Sequence, residues 1–352
     1  MPLIVQFTAP GQVEVVEMDA APLVPGGVRV RTLYSGISAG TELTAYRGTN
    51  PYLTATWDAG RRVFRPGEPS HRYPVQGWGY SEVGRVVEVA ADVSTLRVDD
   101  VVHGMWGHRS EAVVPASTLQ WRVLPAEVDP IVGTFARVAA IALNAVLAAD
   151  VRLGEQVAIF GQGVIGLIAT RLAKLGGARV FAVDMQPGRL VVARAFGADQ
   201  TVAAAHPEGA GAVIREASSG GVDSAIELSG SDRALHEAVR SVIADGLVAA
   251  CGFYQGGAPQ LRLGEEFHHN RVRLVASQIS GAPVGLGSRW DERRLVQTVM
   301  RLILAGDVDA AALVTDIVDV GDVAPVFRRL DEGDPGILQA VLRFDEAAVD
   351  AA

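Results

Sequence analysis

The run VAIFGQGVIGLIATRLAKLGG, residues 157–177, constrains the fold more than any other stretch of the chain. An apolar strand leads straight into Gly161, Gly163 and Gly166, with Val164 and Ile165 between the last two, and an apolar helix opens there. The three glycines meet three steric demands, namely a tight turn, close approach of the backbone to a pyrophosphate, and close packing of helix on strand. The helix N-terminus adds unpaired N–H groups and the positive end of a dipole. The next strand, RVFAVD, ends at Asp184, eighteen residues beyond Gly166, where a carboxylate can bind ribose hydroxyls. A carboxylate there disfavours a 2′-phosphate, so NAD is expected rather than NADP, with Arg189 close enough to temper the preference. A bare strand-to-helix turn is the alternative, but strand, glycines, helix and acid together point to a dinucleotide.

The rest of the chain divides around this unit. From about residue 131, buried strands alternate with helices, as in QVAIFG, RVFAVD, DSAIELSG and LVAACGF, which indicates a parallel sheet covered on both faces. Before that, GGVRVRTLYSGIS, GRVVEVA, DDVVHGMW and EAVVPAS read as short strands of a mostly antiparallel β domain. The stretch GTNPYLTATWDAGRRVFRPGEPSHRYP is expected to be a long irregular loop. The expected organisation is a β domain over 1–132 completed by 287–352, with the dinucleotide domain over 133–286.

Charge and composition exclude several functions. A net charge of −9 argues against nucleic acid. Lys174 is the only lysine, so the Tyr-x-x-x-Lys pair of short-chain dehydrogenases cannot be built. The single cysteine, Cys251, rules out intrachain disulfides and multi-cysteine zinc sites and fits a reducing compartment. The N-terminus lacks a signal-peptide pattern, and every apolar run is interrupted short of the ~20 residues needed to span a bilayer, so no membrane partner and a cytoplasmic address are expected.

GISAGTEL at 36–43, GYSEVG at 79–84, the Gly161 turn, ELSGS at 227–231 and CGF at 251–253 resemble the medium-chain dehydrogenase/reductase superfamily, the relatives of zinc alcohol dehydrogenase. The resemblance covers essentially the whole chain. It implies a GroES-like, mostly β catalytic domain joined to a Rossmann doubly wound parallel-sheet domain, with Ser229, Gly252 and Phe253 near the cofactor. CGFYQG and EFHHNRVRL are most similar to the branch near bacteriochlorophyllide dehydrogenase. Zinc members carry Gly-His-Glu-x-x-Gly where this chain has GYSEVG, so Tyr80 and Ser81 replace the histidine and glutamate. Ser38 and Ala39 stand near the expected cysteine, and Arg137 replaces a carboxylate. Catalytic zinc needs three protein N, S or O ligands; the resemblance therefore implies a zinc-free member, with no metal.

Without zinc, protein groups must hold developing charge and accept the proton. The resemblance aims Tyr80 and Arg137 at the vacated metal position, puts Thr41 at the start of a proton relay, and puts Glu42 where an acid holds a zinc-binding histidine. Tyr80 is then the proton donor and acceptor, with Arg137 either lowering its pKa from the usual value near ~10 or pairing with the substrate oxygen. A second reading keeps Arg137 paired with Glu42 or Glu82 and leaves Tyr80 as packing. Ser38, Trp78, Trp106 and His108 are candidates for the substrate pocket; core packing for the tryptophans and a surface position for His108 are the plainer alternatives. His268 and His269 invite a metal reading, but neighbours on an extended chain point to opposite faces.

The function expected is NAD-dependent interconversion of a secondary alcohol, polyol-, cyclitol- or sugar-like, and a ketone. A zinc-free enoyl or quinone reductase and a non-catalytic dinucleotide-binding protein are the alternatives. The resemblance also implies a homodimer or homotetramer, built through the strand VRLVASQIS, and domain closure over the cofactor.

Overall fold

The computed structural model describes residues 1–281, 286–287 and 289–344. The chain forms two compact units, one of Met1–Arg137 with a return from Ala310, the other of Val138–Asp309.

In the second unit six parallel strands lie in the order Gln200–Ala203, Arg179–Asp184, Gln156–Phe160, Val222–Glu227, Val242–Ala250 and Arg273–Ala276. The order reverses between Gln156–Phe160 and Val222–Glu227, the switch point beside which such sheets bind ligands. Ala158, Phe160, Phe181, Val183, Ala225 and Val248 form its core, each at most 1% exposed. That double-sided burial is why these strands read as continuous apolar runs rather than alternating ones. Helices Val164–Leu175, Pro187–Ala195, Ala210–Ala217 and Asp232–Ser241 follow successive strands, and the last runs into Val242–Ala250 without a loop.

Helix Glu292–Leu304, capped by the Asp291 carboxylate on Arg294 N–H at 2.7 Å, lies in the second unit. Its sequence was expected to fall in the completing segment of the first domain, from 287 on. An amphipathic stripe (Leu295, Val296, Val299, Met300, Ile303) states that a face must be buried but not against which layer. The Arg171 Nε–H···O=C bond to Asp307, 2.6 Å, ties the following turn to this unit. Residues 345–352, also assigned by that reading to the first domain, lie outside the described residues. Residues 130–148 are long and apolar enough to cross a membrane, contrary to the sequence reading, but most of that stretch is buried in the protein.

The first unit has a six-stranded sheet in which Val314–Asp319, Gln339–Arg343, Gly27–Gly36, Glu82–Val89 and Val101–Gly104 are successive neighbours and Glu111–Pro115 adds to Gly27–Gly36. All pairs are antiparallel except the first. Leu3–Ala9 pairs with Gln12–Glu17 and Val75–Gln76 in a second, three-stranded sheet. The region expected to be an irregular loop contains a hairpin, Ala55–Asp58 with Val63–Pro66. Its strands were missed because they are short and their pattern is broken by charge. Trp57 and Phe64, 5.1 Å apart, hold the two arms together.

Candidate active site

The dinucleotide seat is built by the backbone of the second unit. Gly161 has φ +90°, and a Cβ there would sit 2.8 Å from the Ser229 nitrogen. A Cβ on Gly166 would lie 1.8 Å from the Gly161 carbonyl oxygen, so no larger residue fits the helix against this turn. Gly163, the N-cap of helix Val164–Leu175, has open space around its α-carbon and no side chain caps the helix, leaving the N–H groups near Val164 and Ile165 to a phosphate. Asp184 ends its strand 8% exposed, its two oxygens accepting from Gln162 N–H at 2.6 Å and Gln186 N–H at 2.8 Å. Those bonds fix the carboxylate at the tip of the strand. Arg189 lies in the first turn of the next helix, Pro187–Ala195.

The loops after the next two strands are stitched together by a side chain that sequence reasoning passed over. Glu227, fully buried, accepts from Ser229 N–H at 2.7 Å, Gly230 N–H at 3.2 Å, and the hydroxyls of Ser229 and Tyr254. Burial nevertheless pushes its carboxyl up, against the pull of those donors. A Cβ on Gly252 would stand 2.4 Å from the Gly230 backbone, while Phe253 is 45% exposed. Cys251 donates its thiol to the Ala249 carbonyl, and burial pushes the thiol up to about 12, so it is no nucleophile. Lys174 is held 2.6 Å from Asp199 and is not a Schiff-base candidate.

In the first unit the structure brings Ser38, Thr41 and Tyr80 together. Ser38 is the N-cap of helix Ala39–Arg47, and its Oγ hydrogen-bonds the Tyr80 hydroxyl; Thr41 Oγ1 reaches the same oxygen at 3.2 Å. Gly79, at φ +109°, lets the chain turn Tyr80 onto the helix start. Arg137, partly buried in the first turn of helix Ala136–Ala148, is close enough for its charge to favour the phenolate. Burial dominates, however, and holds the Tyr80 pKa above its ordinary value despite the Ser38 and Thr41 hydrogen bonds, with the Glu42 charge adding to the rise and Arg137 opposing it. The expectation of a lowered pKa is therefore corrected: the arginine acts in the expected direction but loses to desolvation.

Beneath this cluster lies a buried polar chain. Glu42 Oε1 accepts from Ser38 N–H at 2.7 Å, and Oε2 lies 2.6 Å from His108 Nε2. His108 Nδ1 is 2.6 Å from Ser35 Oγ, which is 3.1 Å from Glu82 Oε1; Glu82 Oε2 accepts from Trp106 N–H at 2.7 Å. Glu42 and Glu82 are fully buried and His108 is 1% exposed. Burial works against the His108 cation, but the Glu42 carboxylate, by charge and hydrogen bond, raises its pKa overall. Burial also raises that of Glu82. His108 is thus not a surface histidine. It hydrogen-bonds Glu42, one of the two acids that the second reading offered to Arg137.

Trp106 is also corrected: 8% exposed, it packs in a core of Val28, Val30, Val86 and Leu119 and donates Nε1–H to Thr32 Oγ1 at 2.9 Å. Where it meets solvent it borders a separate pocket of about 300 Å³ with Met18, Met105 and Arg109, which does not include Tyr80. Trp78 is partly exposed and meets Phe7 and His71 edge-on at 6.3 and 5.9 Å. Neighbouring His103 is buried and neutral, its pKa lowered to about 3 by burial and Arg122. Among the described residues, Ser38, Tyr80, Thr41 and Arg137 offer a metal only hydroxyl oxygens beside a cation, while Glu42 and His108 are committed to each other.

This fold, with its glycine-turn seat, is that of a two-domain dehydrogenase, and the chain is similar over most of its length to members of the medium-chain dehydrogenase/reductase superfamily. It is an oxidoreductase of that type with a seat for a nicotinamide dinucleotide. Residues 164–301 match the zinc-binding dehydrogenase family, a stretch that excludes Ser38, Tyr80 and Arg137. The chain is 27% identical to D-guloside 3-dehydrogenase of Escherichia coli over 318 residues, covering 88% of this chain and 91% of the relative. It is 26% identical to (R,R)-butanediol dehydrogenase of Bacillus subtilis, over 85% and 87% of the two chains. The crystal structure of 2R,3R-butanediol dehydrogenase from Bacillus subtilis superposes with a TM-score of 0.78 at 22% identity, covering 98% of this chain and 100% of the other. A dehydrogenase described as zinc-binding from Sinorhizobium meliloti, bound to NADP, gives 0.76 at 20% identity, over 98% and 99% of the chains.

Proposed function

We propose that this protein interconverts a secondary alcohol of polyol, cyclitol or sugar-like kind and the corresponding ketone, using NAD and no catalytic zinc. The observation that carries the reading is the convergence of Ser38, Thr41 and Tyr80 hydroxyls, under the charge of Arg137, at the position where zinc relatives keep a histidine. A divalent cation fits poorly there, because a guanidinium charge stands where a ligand is needed and, among the described residues, no thiolate or free imidazole is at hand. The names of D-guloside and butanediol dehydrogenases support a secondary alcohol as substrate.

NAD, when bound, supplies the hydride acceptor, and Gly161, Gly163, Gly166, Asp184, Ser229, Gly252 and Phe253 would hold it. The Asp184 carboxylate favours unphosphorylated ribose. On oxidation Tyr80 takes the carbinol proton as the C–H bond breaks, the ketone forms, and Ser38 and Thr41 hold the phenol oxygen. Arg137 stabilises the phenolate that must precede this step. The raised Tyr80 pKa keeps the phenol protonated near neutrality, the form that ketone reduction requires and that a second reading, reduction of enones, would also use.

Chelator-treated protein, assayed by nicotinamide absorbance with polyols and cyclitols plus NAD and with ketones and enones plus NADH, tests the proposal. Alcohol oxidation that survives the chelator and fails in Tyr80→Phe is the expected result. Turnover with enones alone would sink it, as would activity that only added zinc restores and restores equally in His236→Gln.

A further inference from the structure

Outside both regions, His236, Glu265 and Glu266 come together in the second unit, one ligand atom from each within 4.8 Å of the other two. His236 is midway along helix Asp232–Ser241, and the glutamates lie in the π turn Leu263–Phe267. Sequence reading went instead to His268 and His269. Those two occupy a helical turn, rather than an extended strand, with rings edge-on at 5.5 Å, and His269 Nδ1 faces the Glu265 carbonyl at 3.0 Å.

Backbone geometry explains how adjacent glutamates serve one point. Successive residues of a regular helix diverge by ~100°, but Glu265 breaks the helix at φ −98°, ψ −126°. Each carboxylate is then half committed. Arg240 Nε–H reaches Glu266 Oε1 at 3.2 Å, and Arg262 reaches Glu265 Oε1 at 3.4 Å. Glu266 Oε2 is buried with no partner, and Glu265 Oε2 stands 3.9 Å from His236 Nε2. That gap is too wide for a hydrogen bond. It suits two ligands of one ion, since donors each ~2.0–2.2 Å from a metal lie ~3–4 Å apart. The His236 side chain is 12% exposed, yet neither ring nitrogen makes a hydrogen bond among the described residues. His236 Nδ1 and Glu266 Oε2 are both buried atoms without a hydrogen bond among the described residues, which is unusual in a folded protein. The arginines on the outer oxygens orient the inner ones, as partners behind metal ligands do.

We propose that His236, Glu265 and Glu266 bind a divalent transition cation of the zinc class, with water completing the coordination. The imidazole and carboxylate donors suit such an ion. Bound, it pins the turn at 263–267 to helix Asp232–Ser241, and so closes the base of the segment 251–262 that contains Gly252 and Phe253.

The test is titration of the chelator-treated full chain with Zn²⁺ by calorimetry and with Co²⁺ by visible absorption, in wild type, Glu265→Gln, His236→Gln and Tyr80→Phe. Glu265 is exposed, so its substitution spares the fold even where that of His236 does not. One ion per chain is expected, with affinity at least tenfold weaker in Glu265→Gln and His236→Gln and unchanged in Tyr80→Phe. Absence of binding in wild type, or binding undiminished in both unit-two variants, overturns the proposal. Loss confined to Tyr80→Phe also overturns it, and would place the ion at the hydroxyl cluster, against the zinc-free reading.

Discussion

Tyr80 shows what a residue's identity can and cannot announce. The spacing of GYSEVG placed it where a metal ligand belongs, and its hydroxyl does meet Ser38 and Thr41. The direction of its pKa was not legible, because desolvation depends on what covers the ring. With the phenol held above its ordinary value, the active base is scarce at neutral pH. Alcohol oxidation is therefore expected to keep rising with pH across the whole range from 7 to 10, whereas ketone reduction stays flat. Arg137→Gln removes the one charge that favours the phenolate, so it lowers oxidation at pH 8 and moves the rising limb further alkaline. Tyr80→Phe should cost about 10²–10⁴ in kcat for oxidation, the usual worth of a positioned acid–base group, and leave NAD affinity unchanged. A pH–rate profile that levels off below pH 8, and does so equally in Tyr80→Phe, would remove Tyr80 from the chemistry.

At the scale of elements, the glycine turn was readable because each glycine answers a local steric demand. Gly166→Ala forces a methyl into the Gly161 carbonyl, so helix Val164–Leu175 must shift off its strand. NAD affinity measured by fluorescence quenching is expected to fall more than tenfold, whereas Gly188→Ala, in open space on the next helix, should leave it unchanged. The Glu42–His108 pair was not readable, since helix Ala39–Arg47 and residue 108 are brought together only by the sheet. Glu42→Gln leaves a buried imidazolium without its counter-charge, a loss expected to cost about 3–5 kcal/mol in denaturant unfolding. The sign of the pH dependence follows from the raised His108 pKa. The folded state holds the proton more tightly than the unfolded chain, so the pair's contribution is complete below the ordinary value of 6.5 and is lost as pH rises through the higher folded value. Glu82, also raised, acts in the same direction above 4.5. Melting temperature should therefore fall more steeply above pH 6.5 in wild type than in His108→Gln. Equal slopes would mean that His108 is neutral in the fold.

At the scale of the whole molecule, the alternation of strand and helix announced the parallel sheet, and five of its six strands could be placed from sequence, Gln200–Ala203 being the one missed. What the pattern did not contain was the partner of each amphipathic face, that of Glu292–Leu304 included. The same silence covers assembly. Strand Arg273–Ala276 ends the six-stranded sheet with one side unpaired, and Leu274 is 37% exposed on it. An open apolar edge is a template for pairing with another chain, and monomers blunt such edges with charge, proline or a covering element. Arg273 supplies some charge, but the following Leu-Val-Ala run is neither charged nor interrupted by proline. We therefore propose that two copies join their sheets along this strand about a two-fold axis, each presenting the same edge to the other. Light scattering after gel filtration should give at least twice the mass of one chain. Ala276→Pro removes an N–H on the open side, since the neighbouring Ser277 N–H donates inward to the Ala250 carbonyl, and should give a single chain while NAD still binds. A wild-type protein that already elutes as one chain at micromolar concentration would mean that this edge is left bare in solution, and that its four-residue length alone keeps it from pairing.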